Sequence, residues 1–161
     1  MKTNSRSQSA FLRKDNARSL KRNIALFLAA TFFFFSSCAK EKFITEQELP
    51  EKSRTFIAAH FPQTTVSFVT YEWNDYDVLL SNGFQLSFNG KGEWQDVDGE
   101  NSTVPQSIVN LIPEKISEFI KIRFPDAAIT EISKEKYGWD IGLSNDVDLE
   151  FNKNGSIREV D

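Results

Sequence analysis

Two residues that could carry nucleophilic or acid–base chemistry, His60 and Cys38, are the single histidine and the single cysteine of this chain. Nucleophilic catalysis needs a general base beside a Ser, Thr or Cys side chain. His60 lies one helical turn after Phe56 in a predicted helix, and Arg123 takes its place in the sequence repeat described below. We therefore interpret His60 as a packed or exposed helix residue, and we predict that the protein is not an enzyme.

Carboxylates gather at Asp75 and Asp77 and again between Asp96 and Glu100. The second group has part of the spacing of a calcium-binding loop but lacks its ordered ligand set. The sequence contains no phosphate-binding loop, dinucleotide motif or zinc-ligand spacing. We expect solvated turn acids, with no metal and no cofactor. A small-ligand or ion-binding module that uses these acids is an alternative.

The charge of the chain is divided unevenly along its length. Residues 1–37 carry seven Lys and Arg against one acid, which leaves 12 basic and 22 acidic residues, a balance of −10, in the rest. Binding to nucleic acid requires basic clusters that neutralise phosphates, so we expect no nucleic-acid partner. An acidic surface favours solubility or a cationic partner.

Cys38 follows a segment that has the features of an export signal. Twelve apolar residues, Ile24–Phe35, follow a basic stretch and are too few to span a bilayer comfortably. Ser36-Ser37-Cys38 resembles a bacterial lipobox, which implies cleavage before Cys38 and attachment of lipid to it. We therefore predict a signal peptide at 1–37 and a tether at 38–48 after the lipidated cysteine. An uncleaved anchor with a buried cysteine is the alternative.

The lipid would hold the mature protein at a membrane without a transmembrane helix. Ala39 carries no charge that would retain the protein at the inner membrane. We therefore expect a location in the cell envelope, anchored in the outer membrane and facing the periplasm, with exposure at the cell surface as the alternative.

The rest of the chain repeats itself without a gap. When Leu49–Asp98 is aligned with Ile112–Asp161 at a shift of 63 residues, 18 of the 50 pairs are identical. Such periodicity indicates a tandem duplication. We predict a first repeat at 49–98, a linker with a short helix at 99–111, and a second repeat at 112–161.

Each repeat is predicted to start with a helix and to continue as strands. In the first copy Pro50 suits the first helical turn, and Pro62 ends the helix because it disfavours helical geometry at Phe61. Asn82-Gly83 predicts a two-residue type I′ hairpin turn. Trp94 and Val97, three residues apart in the fourth strand, indicate a bulge or a twist. The predicted fold class is α+β, a tandem repeat of helix plus four-stranded antiparallel β-meander, with the helices packed on one sheet face.

This pattern resembles the PepSY-like, β-lactamase-inhibitor-like periplasmic proteins of Bacteroidetes. The residues that carry the resemblance are the helix ending in Phe61-Pro62, Tyr76-Asp77-Val78, Leu80-Ser81-Asn82, Leu86 to Asn89, and Gly92. The resemblance implies tandem α+β repeats outside the inner membrane. It also implies a protein-binding or inhibitory role, because the inhibitor of β-lactamases presents a concave sheet to its target.

Positions at which the two copies differ indicate where a partner could bind. An unpaired buried charge is costly, so a position that is aromatic in one copy and charged in the other is not sealed core in both. Three positions of the first copy are of this kind, Phe68, Tyr71 and Trp73, whose counterparts in the second copy are Glu131, Lys134 and Lys136. Leu79, whose counterpart is Gly142, is a fourth asymmetric position, on the face opposite Tyr76, and the four form the candidate protein-binding set.

We predict from this set a lipid-anchored envelope protein that binds another envelope protein, with inhibition of a peptidase or hydrolase as a narrower form. Phe68 and Tyr71 have opposite strand parity, so they need not share a face. The set could instead fill the interface between the repeats. A structural envelope lipoprotein without a dedicated partner is the alternative function.

Overall fold

A computed structural model describes residues 42–160 of the chain. Its elements alternate short strands with three helices. In chain order they are β1 (Lys42–Ile44), α1 (Glu51–His60), β2 (Val66–Glu72), β3 (Asp75–Leu80), β4 (Gln85–Asn89), β5 (Trp94–Asp98), α2 (Gln106–Val109), α3 (Glu114–Arg123), β6 (Ile129–Lys134), β7 (Gly138–Leu143), β8 (Asp148–Asn152) and β9 (Ile157–Val160). The predicted signal peptide and the lipidated Cys38 lie outside the described residues.

The strands form one nine-stranded antiparallel sheet in which each strand pairs with its neighbours in sequence, from β1 to β9. The predicted fold class, a tandem repeat of helix plus four-stranded antiparallel meander, is therefore wrong. The described chain is mostly sheet. The last strand of the first repeat, β5, pairs directly with the first strand of the second repeat, β6, although residues 99–111 lie between them in the chain. Continuation satisfies backbone groups that two separate meanders would leave unpaired at their edges.

The junction between β5 and β6, here called the seam, closes with three residue pairs: Asp96 with Ser133, Val97 with Ile132, and Asp98 with Glu131. Val97 and Ile132 are both 0% exposed, so the seam is as deeply buried as any other part of the core. At the other end of the sheet β1, which comes from the predicted tether, pairs with β2. Neither pairing follows from the sequence repeat, because each joins two strands that are separated along the chain by at least one helix.

The two long helices start and end at prolines as predicted. Pro50 immediately precedes α1, and Phe61, just before Pro62, leaves helical geometry at φ −131° and ψ 53°. Both helices pack on the same side of the sheet, where Phe56 of α1 meets Phe88 and Phe119 of α3 meets Phe151, with ring centroids 5.7 Å and 5.6 Å apart. We call this side the helix face and the other side the open face.

The hairpin turns differ from the predicted ones. Leu80 N donates to Phe84 O and Gly83 N donates to Leu80 O, which makes a three-residue loop with Gly83 at φ +91°. The expected two-residue type I′ turn at Asn82-Gly83 is thus wrong. Such a turn needs two consecutive positive φ angles, and these occur at Trp73 and Asn74, with φ 53° and 71°. The sequence gives little sign of this turn at Trp73 and Asn74, because a bulky side chain such as that of Trp73 rarely adopts a positive φ angle.

The predicted bulge in the fourth strand is confirmed. Val97 pairs with Leu86 and Trp94 pairs with Phe88, so the register shifts between them and both side chains point to the helix face. Just before the bulge, Gly92 has φ +76°, and a Cβ there would lie 2.6 Å from Cβ of Pro50. Glycine therefore lets the β4–β5 turn approach the first turn of α1.

Candidate functional site

Two of the four candidate protein-binding residues form a pair on the open face. Phe68 of β2 lies directly opposite Leu79 of β3 in the ladder. Phe43 of β1 joins them, with its ring centroid 6.4 Å from that of Phe68. Phe43 is 69% exposed and Phe68 is 47% exposed, so this group, which we call the apolar corner, is accessible to a partner.

The other two candidates lie elsewhere. Tyr71 is half-buried on the helix face, where its ring packs 4.8 Å from that of Tyr76. Trp73 projects from the β2–β3 turn and is 81% exposed. The four side chains therefore do not make one surface, because alternate residues of a strand point to opposite faces.

Beside the apolar corner the open face carries carboxylates on successive strands. The register aligns Asp77, Ser87, Asp96, Ser133, Asp140 and Glu150 across β3 to β8, and we call this line the acidic row. A second line runs parallel to it through Gln85, Asp98, Glu131, Gly142 and Asp148. The individual acids were visible in the sequence, but only the strand register shows that they share one face.

Asp96 and Glu131 sit at the centre of this face, at the seam. Burial is the largest influence on Asp96 and raises its pKa to about 7, with Glu131 and Asp98 adding to the rise and the hydroxyl of Ser133 opposing it. Ser133 Oγ donates a hydrogen bond to Oδ1 of Asp96. Burial and Asp98 likewise raise the pKa of Glu131 to about 6. Negative charge at the seam is therefore unfavourable unless a cation approaches it.

His60 has no catalytic arrangement around it. Its Nδ1 lies 2.8 Å from Oγ of Ser107, and its ring packs against Phe56 with centroids 4.5 Å apart. Burial lowers the pKa of His60. An aromatic ring, rather than a carboxylate, thus orients the imidazole, and the pair lacks the third group that activates a serine nucleophile.

Within residues 42–160, no group of three or more His, Cys, Asp or Glu side chains is placed to hold a metal ion. The helices described there include none with the length and apolar character needed to cross a membrane.

Comparison with solved structures finds several similar proteins. A "putative periplasmic protein of unknown function" from Bacteroides vulgatus is 29% identical, with a TM-score of 0.71, and the match covers 76% of this chain and 99% of that one. A second "putative periplasmic protein" from the same organism is 31% identical, with a TM-score of 0.69 and coverage of 76% and 97%. A "putative calcium-regulated periplasmic protein" from Bacteroides thetaiotaomicron is 28% identical, with a TM-score of 0.68 and coverage of 75% and 96%.

These similar proteins are described as periplasmic, which supports a location in the cell envelope. No curated protein matches the chain. A sequence model of the family described as "Putative beta-lactamase-inhibitor-like, PepSY-like" matches residues 36–91 and 74–159. The resemblance inferred from the sequence is thereby confirmed, and the chain belongs to the PepSY-like family.

Proposed function

We propose that the protein is a lipid-anchored component of the cell envelope that binds another protein on the open face of its sheet. The observation that carries this proposal is the apolar corner. Phe43, Phe68 and Leu79 leave an aromatic and aliphatic group accessible on a face that no long helix covers. Exposed aromatic groups beside polar residues are typical of protein recognition.

The chemistry of the partner follows from the residues next to the apolar corner. The acidic row begins at Asp77, two residues before Leu79, reaches the seam at Asp96 and continues beyond it to Asp140 and Glu150. A segment that places an apolar side chain on Phe68 and lysines or arginines along the row would be complementary in shape and charge. We therefore propose a basic, partly apolar segment of an envelope protein as the occupant.

The lipid anchor is the part of the proposal that rests on sequence. Cys38 and the apolar segment before it support acylation, and residues 39–41 separate the cysteine from β1. Such an anchor would keep the open face near other envelope proteins and raise their effective concentration.

Site-specific photocrosslinking in growing cells tests the binding face. A photoreactive phenylalanine analogue is placed at Phe68 and, as a matched control, at Ile122, which is 78% exposed on the outer side of α3. We expect a discrete crosslinked species from position 68 that is missing from position 122. Equal yields at both positions, or none at either, would refute the open face as the binding surface.

A captured protein supports the proposal only if its binding depends on charge as well as on Phe68. With the purified partner, Asp77→Asn and Asp96→Asn should each weaken binding, and the affinity should fall as salt is raised. Binding that ignores both changes would contradict a basic occupant. In fully functional cells, the absence of both a crosslinked species and measurable binding would instead favour the alternative function, a structural lipoprotein without a dedicated partner.

Inhibition is a narrower hypothesis suggested by the family description. If the captured partner is a hydrolase or peptidase, its activity is measured with the wild-type protein and with Phe68→Ser. Loss of partner activity with the wild type alone would support an inhibitor. Unchanged activity in the bound state would leave binding without inhibition.

A further inference from the structure

A groove on the helix face, separate from the open face, has features of a small-ligand site. It lies between α1, the turn before β5, and β6, and it encloses about 500 Å³. Volumes of this order are common for sites that hold a small organic molecule. Lys52 and Phe56 line one wall, Glu93, Trp94 and Gln95 line the floor, and Lys134 lines the wall at the seam.

The floor of this groove is aromatic. The rings of Phe56 and Trp94 are stacked, with centroids 5.6 Å apart and an interplanar angle of 27°. Trp139 of β7 extends the cluster, 6.1 Å from Trp94. All three rings are only half-buried, so part of each remains available to a flat apolar partner.

The seam wall supplies a positive charge that lies inside the groove. Nζ of Lys134 is 3.5 Å from the centre of the Trp94 ring and donates a hydrogen bond to the Trp94 carbonyl oxygen at 3.1 Å. Partial burial lowers the pKa of Lys134 to about 8, with Glu93 opposing that change. The ammonium is thus partly desolvated, and it has further N–H donors to offer.

The neighbouring carboxylate does not neutralise Lys134. Glu93 is paired with Lys52 at 3.4 Å and also accepts a hydrogen bond from Nδ2 of Asn89. The ion pairs shown by the described residues 42–160 involve Lys42, Lys52 and Arg158 as cations. Lys134 therefore has no carboxylate partner among the ion pairs of these residues, and its partly exposed ammonium remains open to an incoming anion.

The residues that form the groove are not repeated in the other copy of the sequence. At the 63-residue shift Trp94 corresponds to Ile157, and Lys134 corresponds to Tyr71. Tyr71 packs on Tyr76 and supplies no charge. The aromatic rings and the Lys134 ammonium therefore come together at the seam, where residues from β5 and β6 meet.

We propose that this groove binds a small organic anion, a ring that carries a carboxylate, with Lys134 as the anion-binding residue and the partly exposed rings of Phe56 and Trp94 as the apolar contact surface. The ring could belong to an aromatic acid or to an acidic sugar, because both present a flat face and a carboxylate. The site is on the face opposite to the proposed protein-binding surface, so each can fail without the other.

Indole NMR of the full chain in a neutral detergent tests the site. The chain has three tryptophans, and their labelled indole N–H groups give one signal each. The probes are 3-phenylpropionate and D-glucuronate, each beside its neutral counterpart, 3-phenylpropanol or D-glucose. We expect one anion to shift the Trp94 and Trp139 signals with saturation while the signal of Trp73, in the distant β2–β3 turn, stays in place.

Variants of Lys134 show whether the charge is responsible. Lys134→Gln should weaken the anion's binding about tenfold or more, since a charge-assisted hydrogen bond is lost. Lys136→Gln, an equal charge change two residues away in the exposed β6–β7 turn, should have no effect. Binding by the wild type should also weaken as the pH rises above the pKa of Lys134, whereas Lys134→Arg should keep it.

Three results would overturn the proposal. They are an absence of saturable shifts with either anion up to about 20 mM, equal shifts with the neutral counterparts, and unchanged binding by Lys134→Gln. If the proposal holds, the anion that binds more tightly identifies which kind of ring the groove accepts.

Discussion

Replacing Asp96 with Asn should stabilise the protein increasingly as the pH rises. Asp96 lies at the seam on the open face, where Ser133 Oγ donates to it and where Glu131 and Asp98 are neighbours in the ladder. Burial, with support from those carboxylates, raises its pKa from 3.8 to about 7. The unfolded chain therefore loses this proton near pH 4, whereas the folded protein retains it until about pH 7.

The direction of the effect follows from proton binding. Between these two pKa values the folded state binds more protons than the unfolded state, so the wild type loses stability as the pH rises through that window. A rise of about three pKa units corresponds to about 4 kcal/mol as an upper limit. Salt screening and residual contact of the carboxyl with water reduce it, so we expect Asp96→Asn to be more stable than the wild type by about 2 kcal/mol at pH 8. Below about pH 4 the two should differ little, because Asp96 is protonated in both states.

Urea unfolding at about pH 4.5 and about pH 8 measures this difference. Asp126→Asn is the control, since Asp126 is exposed in the turn after α3 and has no place in the acidic row. Its effect should be small at both pH values. Equal stability of Asp96→Asn and the wild type at pH 8, or a loss of stability in the variant that persists there, would refute the assigned environment of the seam.

The structure and the sequence predict the outcomes of three other substitutions. Gly92→Ala should cost about 3 kcal/mol in urea unfolding, because its Cβ would lie 2.6 Å from Cβ of Pro50 at a φ of +76°; a loss under about 0.5 kcal/mol would contradict that contact. Ile132→Ala, at a 0% exposed position of the seam, should lower the free energy of unfolding by about 3 kcal/mol and keep a single unfolding transition. The control Ile122→Ala should change that free energy by less than about 0.5 kcal/mol. Two transitions would mean that the sheet does not unfold as one unit. Cys38→Ser should abolish the incorporation of labelled palmitate into the protein, and labelling that persists in this variant would contradict acylation at Cys38.

Local rules predicted the helices well because their signals are local. Pro50 and Pro62 act within one or two residues through fixed φ and steric clash, and α1 starts and ends accordingly. Pro105 likewise precedes α2. The bulge between Trp94 and Val97 was also predictable, since their spacing alone conflicts with simple alternation.

Pairing between distant strands was not predictable in this way. The polar residues 39–48 suggested a tether, yet Lys42–Ile44 forms β1 because the edge of β2 offers unpaired backbone groups. The same demand joins β5 to β6, so the two repeats share one sheet. A sequence repeat shows that two segments fold alike, but it does not show whether their sheets join.

The candidate site was predicted in part. Differences between the copies singled out Phe68 and Leu79, which do share the open face, and Tyr71, which does not. A charged counterpart in the other copy does not have to be exposed, since Glu131 is half-buried beside Asp98, with a pKa raised to about 6. Protonation lets a carboxyl occupy a site that a fixed charge would avoid.

By itself the sequence determined the family and the ends of the helices, because these depend on side chains that are close along the chain. Tertiary structure alone decided which faces the strands share. It aligned Asp77 with Asp96 and Asp140 on the open face, and it brought Lys134 over Trp94 on the helix face. Both arrangements depend on the seam, where residues about 40 positions apart meet. Hydrogen bonding between β5 and β6 sets that register, so the acidic row and the groove are products of the same pairing.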